Sequence, residues 1–179
     1  RYTSYPTADR FVEAFDADAY RLWLGKRTVG GISRPLSLYV HIPFCNTICY
    51  YCACNKIITK DHGRSAKYLK YLGKELALQS GYLEGSHDVV QLHWGGGTPT
   101  FLSHDEMRQL MGSIREHFRL LPNGEYSIEV DPRKVDEATV ALLGELGFNR
   151  MSLGVQDFDL AVQEAVNRVQ SIEETESVL

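Results

Sequence analysis

Four cysteines, Cys45, Cys49, Cys52 and Cys54, fall in one short stretch of a 179-residue chain that has no others. A disulfide framework would spread its cysteines along the chain, so this grouping points to a metal or redox site in a reducing, cytoplasmic compartment. The spacing Cys45-x3-Cys49-x2-Cys52 lets one compact loop wrap three thiolates around a single inorganic centre. Structural zinc more often pairs two knuckles far apart in sequence, and a zinc knuckle is the plain alternative. Iron–sulfur clusters are held by closely spaced thiolates, usually four. With three, one iron keeps an open position for a substrate or cofactor.

Two further regions carry groups that could meet a ligand. The run Gly95-Gly96-Gly97-Thr98-Pro99-Thr100 reads as a loop, because three glycines before a proline hardly suit a helix or strand interior. In isolation it is a tight turn; at the C-terminal end of a strand, its exposed backbone groups can meet an amino acid or a ribose. Glu129 shares a strand face with Ser127 and Asp131. Inside a barrel that carboxylate needs a cationic or hydrogen-bonding partner, and Gln156 is placed alike. Tyr39 and His41 share the polar side of a strand, where His41 reads as a satisfied core residue. Met107 and Met111 fit a helix's core stripe.

The elements that must position these groups alternate between period two and period 3.6 from Leu36 onward, the pattern of strands alternating with helices. Strands are expected at Leu36 to Ile42, Val89 to Trp94, Tyr126 to Val130 and Met151 to Gln156. Helices are expected from about Ser65 to Leu83, after the Ser103/Glu106 capping box with an apolar stripe from Met107 to Phe118, and from Asp136 to a stop at Gly147. Four such repeats predict an α/β fold: a partial TIM-like barrel, about its first four β/α units, with the site at the strand C-termini. Residues 1–35 read as an N-terminal arm with one short helix around Asp18 to Leu24, and residues 36–179 as the core domain. Arg1 in place of Met, and a helix opening at Ser171, predict a piece of a longer chain.

The net charge of −4 at a sequence pI near 5.9 gives no basic surplus to hold a phosphate backbone, which argues against nucleic acid. No apolar run approaches the roughly 20 residues that span a bilayer, so no membrane partner is expected. With 44% hydrophobic residues the chain can build a core.

Cys45-x3-Cys49-x2-Cys52, with Tyr51 just before the last cysteine, resembles the signature of the radical S-adenosylmethionine superfamily. Within it, Arg1 to Ala8, His41-Ile42-Pro43-Phe44, Cys54-Asn55-Lys56 and His93 to Thr100 resemble the oxygen-independent coproporphyrinogen III oxidase family. The resemblance implies the N-terminal portion of a (β/α)6 barrel of the radical SAM type. It implies a [4Fe-4S] cluster on Cys45, Cys49 and Cys52, with S-adenosylmethionine on the open iron cleaved to a 5′-deoxyadenosyl radical. The implied reaction is anaerobic oxidative decarboxylation of two propionates of coproporphyrinogen III to vinyl groups, giving protoporphyrinogen IX for haem.

By the same resemblance Tyr39, Tyr51, Gly96 and Glu129 contact the cluster-bound S-adenosylmethionine. Gly97, Thr98, Gln156 and Arg168 contact a second molecule of it, Cys54 does not ligate, an external electron donor is needed, and the complete protein is a monomer. Tyr51 stands where a Phe occurs in the family, so its hydroxyl needs a place. A haem chaperone of the same superfamily is the competing reading, against which Cys54 and the Arg1 to Ala8 segment speak. A zinc-stabilised interaction module is the third, separable by iron and sulfide content.

Overall fold

A computed structural model describes residues 7–179, so most of the Arg1 to Ala8 motif lies outside the described residues. In chain order the elements are α1 (Ala17–Gly25), β1 (Thr28–Val29), β2 (Ile32–Ser33), β3 (Leu36–Ile42), β4 (Phe44–Cys45) and β5 (Ile57–Ile58). Then follow α2 (Gly63–Tyr82), β6 (Asp88–Gly96), α3 (His104–His117), β7 (Arg119–Val130), α4 (Glu137–Glu145), β8 (Arg150–Leu153), α5 (Leu160–Ala165) and α6 (Ile172–Glu176). Strands β3, β6, β7 and β8 form one parallel sheet in that order. Helices α2, α3 and α4 are its successive crossovers, as the alternating periodicity predicts.

Alternation along β3 turns Val40 and Ile42 into the core and leaves Ser37 and Tyr39 exposed. Leu92 and Trp94 of β6 and Ile128 and Val130 of β7 join that buried face. Against it pack Leu69 and Leu76 of α2, Met107, Leu110, Met111 and Ile114 of α3, and Leu142 and Leu143 of α4. Burying each such side chain contributes about 1.5–3 kcal/mol. The Ser103/Glu106 capping box forms, with Ser103 N donating to Glu106 Oε2 at 2.8 Å and Glu106 N to Ser103 Oγ at 3.3 Å. The other oxygen of Glu106 accepts from Ser65 Oγ, so the cap also ties α3 to α2. Asp136 caps α4, and Gly147 follows that helix at φ 89°.

Several expectations need correction. Gly95 and Gly96 belong to β6, where they pair with His41 and Ile42; the ladder to β3 overrides the weak strand preference of glycine. Strand β7 starts at Arg119, well before Tyr126, because its first residues pair with Asp88 and Val89 ahead of a register shift. Strand β8 stops at Leu153, and Gln156 lies beyond it with φ 68°. The β1/β2 hairpin and the parallel β4/β5 pair were not expected, each strand being only two residues long.

Candidate functional site

The loop that carries the cysteines is closed at its base by backbone pairing. Strand β4 follows β3 after Pro43, and β5 returns beside it, with Ile57 N donating to Pro43 O at 2.7 Å and Thr59 N to Cys45 O at 2.9 Å. Lys56 Nζ donates to Cys52 O at 2.8 Å, and His41 Nε2 to Asn55 O at 2.8 Å. A carbonyl only accepts, so Nε2 carries the His41 proton and Nδ1 is left to accept from Tyr39 Oη at 2.9 Å. His41 is thus satisfied on both nitrogens, as expected, but it serves the cysteine loop.

At the strand C-termini this loop borders a cleft of about 360 Å³. Cys45, Cys49, Cys52, Tyr51, Gly96, Gly97, Thr98, Glu129, Gln156 and Arg168 all line it. Tyr39 does not: it is 60% exposed and stacks on His93, with ring centroids 5.8 Å apart. All four cysteines are free thiols. Burial pushes the Cys45 thiol up; a hydrogen bond with Thr98 opposes this, and the neighbouring Cys52 and Cys49 add to it. Metal binding at Cys45 must therefore expel a proton. Tyr51 lines the cleft, and burial pushes its hydroxyl up to about 12, with the Arg168 charge opposing and Cys49 and Cys52 adding to the rise.

The glycines make a cradle. Gly96 has φ 113°, and a Cβ there would lie 2.6 Å from His41 Cε1. At Gly97 a Cβ would meet Phe44 O at 2.7 Å and Pro43 O at 2.8 Å, since Gly97 N donates to Ile42 O and Thr98 N to Phe44 O, each at 2.8 Å. This close approach locks the glycine run against the start of the cysteine loop. Glu129 enters from β7: its Oε2 accepts from Gly96 N at 3.1 Å, and Oε1 lies 3.5 Å from His93 Nε2.

A charged cluster closes the far wall: the resemblance names Arg168 as a ligand contact, while Asp131 and Arg133 are given no role by it. Asp131, with its carboxylate 10% exposed, accepts from Arg133 Nε at 2.9 Å and Nη2 at 2.6 Å and lies 3.4 Å from Arg168 Nη2. Burial alone would raise this carboxyl, but the Arg133 hydrogen bonds and the Arg168 and Arg133 charges outweigh it and hold it below the usual range. Arg168 also donates to Gly154 O at 2.8 Å and points Nη1 at Cys49 Sγ, 3.8 Å away, while its buried Nε has no partner. The sequence signal for this cluster was Asp131 on the Glu129 face and Arg133 just after Pro132.

Among the described residues, no three His, Cys, Asp or Glu side chains converge on a point for a single metal ion. The donor set fits a larger iron–sulfur group: four free cysteines of one loop, Cys54 among them, line one cleft beside a glycine cradle, and the x3/x2 spacing singles out Cys45, Cys49 and Cys52. The same cradle and the unpartnered Arg168 Nε fit a polar organic cofactor next to it. Among the described residues no helix is long and apolar enough to cross a membrane.

The family model of the radical SAM superfamily matches residues 39–179. The chain is 56% identical to the oxygen-independent coproporphyrinogen III oxidase of Pseudomonas aeruginosa, over 100% of this chain and 39% of that protein. It is 47% identical to the enzyme of the same name from Escherichia coli, over 97% of this chain and 37% of that protein. The solved structure of coproporphyrinogen III oxidase from Escherichia coli, described as a radical SAM enzyme, superposes with a TM-score of 0.91 at 45% identity, covering 99% of this chain and 40% of that one. The chain thus spans about two fifths of the length of these relatives. The expected α/β fold with its parallel sheet is the fold found.

Proposed function

The chain belongs to the radical SAM superfamily, and from that premise we propose that it is part of an oxygen-independent coproporphyrinogen III oxidase. The observation that carries this reading is the gathering of the three spaced cysteines, the glycine cradle, Glu129 and Arg168 on one cleft, in a chain 56% identical throughout to a relative of that name. The reaction class is anaerobic oxidative decarboxylation of two propionates of coproporphyrinogen III to vinyl groups. The proposed division is an arm at residues 1–35 and a radical SAM core at 36–179. Cytoplasmic action, an external electron donor and a monomeric complete protein belong to the same proposal.

In this account Cys45, Cys49 and Cys52 hold a [4Fe-4S] cluster, and Cys54, outside the three-cysteine spacing, shapes the loop. A reduced cluster held there would supply the one electron that splits S-adenosylmethionine into methionine and a 5′-deoxyadenosyl radical, the species able to take a hydrogen atom from a propionate. Glu129, half exposed in the cleft, offers a carboxylate to a cationic amino group, and Gly96 offers close backbone approach. Tyr51 and Tyr39 supply ring contacts; Tyr39 stands at the margin and needs the ligand to reach past His41. Gly97, Thr98, Gln156 and Arg168 are assigned to a second S-adenosylmethionine, with Arg168 donating to its carboxylate. Asp131, itself fixed by Arg133, holds that guanidinium in place.

Forming a vinyl group removes from each propionate carbon dioxide, one hydrogen atom, which leaves in 5′-deoxyadenosine, and one electron, which passes to a one-electron acceptor, so the product identifies the reaction. The test uses the full-length protein, anaerobically reconstituted and reduced, with S-adenosylmethionine and coproporphyrinogen III. Protoporphyrinogen IX is the expected product. A fully loaded protein that cleaves the cofactor but leaves all four propionates intact would refute the substrate.

A further inference from the structure

We propose that Asn167 is a positioning residue: within the Val166–Arg168 turn, it latches the cysteine loop into the shape that presents its thiols to the cleft. Three consecutive residues of this turn meet three consecutive residues of the loop. Val166 O accepts from Tyr50 N at 3.0 Å, Asn167 Nδ2 donates to Ile48 O at 2.7 Å, and Arg168 Nη1 approaches Cys49 Sγ at 3.8 Å. Among the described residues these are the hydrogen bonds that tie Ile48 to Tyr50 to a distant part of the chain. The partners are 119 positions apart for both Asn167 and Arg168, so the loop acquires this support only when the chain has folded as far as α5.

The turn is built to hold its shape. Asn167 has φ 55°, a left-handed conformation that Asn tolerates better than most residues. Behind it, Gln163 and Gln170, 5% and 3% exposed, bridge the turn reciprocally. Gln163 Nε2 donates to Gln170 O at 2.9 Å and Gln170 N to Gln163 Oε1 at 3.0 Å. Gln170 Nε2 in turn donates to Thr175 Oγ1 at 2.8 Å, anchoring the brace to α6. This buried pair of amides fixes the backbone from which Asn167 reaches forward.

The inference concerns loop geometry and is independent of the substrate proposed above, and its test reads the metal-free protein first. Amide hydrogen exchange is followed in the full-length apo protein and in two variants. Asn167→Gly keeps the left-handed backbone and removes the donor; Asn167→Asp keeps size and left-handed tolerance but replaces the donor by an acceptor. Both should speed exchange at Tyr50 by about five- to tenfold, the scale of one lost hydrogen bond. Strands β6 and β7 should be unchanged. After anaerobic reconstitution, both should lose iron to a chelator faster by a similar factor.

Unchanged exchange at Tyr50 overturns the proposal, and so does uniform acceleration through the central sheet, which would make Asn167 a general stability residue. Acceleration in the Asp variant alone also overturns it, since repulsion from Ile48 O would then be the cause.

Discussion

Replacing Gly97 by Ala asks how much of the site depends on one close backbone approach. The added Cβ would stand 2.7 Å from Phe44 O, 2.8 Å from Pro43 C and 2.8 Å from Pro43 O. All three atoms are backbone, so no side chain can swing away, and ordinary contact requires separation by at least half an ångström or so. That shift strains the bonds from Gly97 N to Ile42 O and from Thr98 N to Phe44 O, each contributing about 1 kcal/mol. With the overpacking itself at about 1–3 kcal/mol, a loss of about 2–4 kcal/mol is expected. Because Phe44 and Cys45 form β4, the displacement also reaches the first thiol.

Urea unfolding of the full-length apo protein measures the first effect and iron per chain after reconstitution the second. Gly112→Ala is the control. It lies inside α3 with nothing within 4 Å of the new methyl, and should stabilise by about 0.5–1 kcal/mol through helix preference. A Gly97→Ala protein within about 0.5 kcal/mol of the parent, with full iron, would refute the claim that the cradle is held by contact.

Three other outcomes follow from the site. Alanine at Cys45, Cys49 or Cys52 should abolish bound iron and sulfide, while Cys54→Ala should retain both; visible absorption and metal analysis check this, and a full cluster in Cys49→Ala would contradict the ligand set. Glu129→Ala should keep its iron but bind S-adenosylmethionine about ten- to a hundredfold more weakly, the scale of one charge-assisted hydrogen bond; normal binding by calorimetry removes Glu129 from the site. The Asp131 carboxyl, held low by Arg133 and Arg168 against its burial, contributes stability that is present above its unfolded pKa and is lost as pH falls through the lower folded value. Denaturant midpoints measured down the acid limb should fall less steeply in Asp131→Asn than in the parent.

The framework was legible where periodicity is local. Leu36 to Ile42 alternates cleanly and becomes β3, and Ser103 with Glu106 caps α3 as written. What was not legible depends on partners distant in sequence. Gly95 and Gly96 look like a turn until His41 and Ile42 are laid beside them, and two-residue strands such as β4 and β5 carry no period. At the site, the cysteines, Glu129 and the glycine run could be picked out by type and spacing. The Asp131, Arg133 and Arg168 cluster could not, since its third member joins across 37 positions, nor could Asn167, whose partner lies 119 positions away.

The most direct test of the account places coproporphyrinogen III, deuterated in its propionate side chains, with the reduced and reconstituted full-length protein and S-adenosylmethionine in the absence of oxygen, and analyses the 5′-deoxyadenosine released. Deuterium in that product, appearing with the vinyl groups and lost together with iron in Cys49→Ala, is the predicted result. Abundant 5′-deoxyadenosine without deuterium, alongside unaltered substrate, would contradict it.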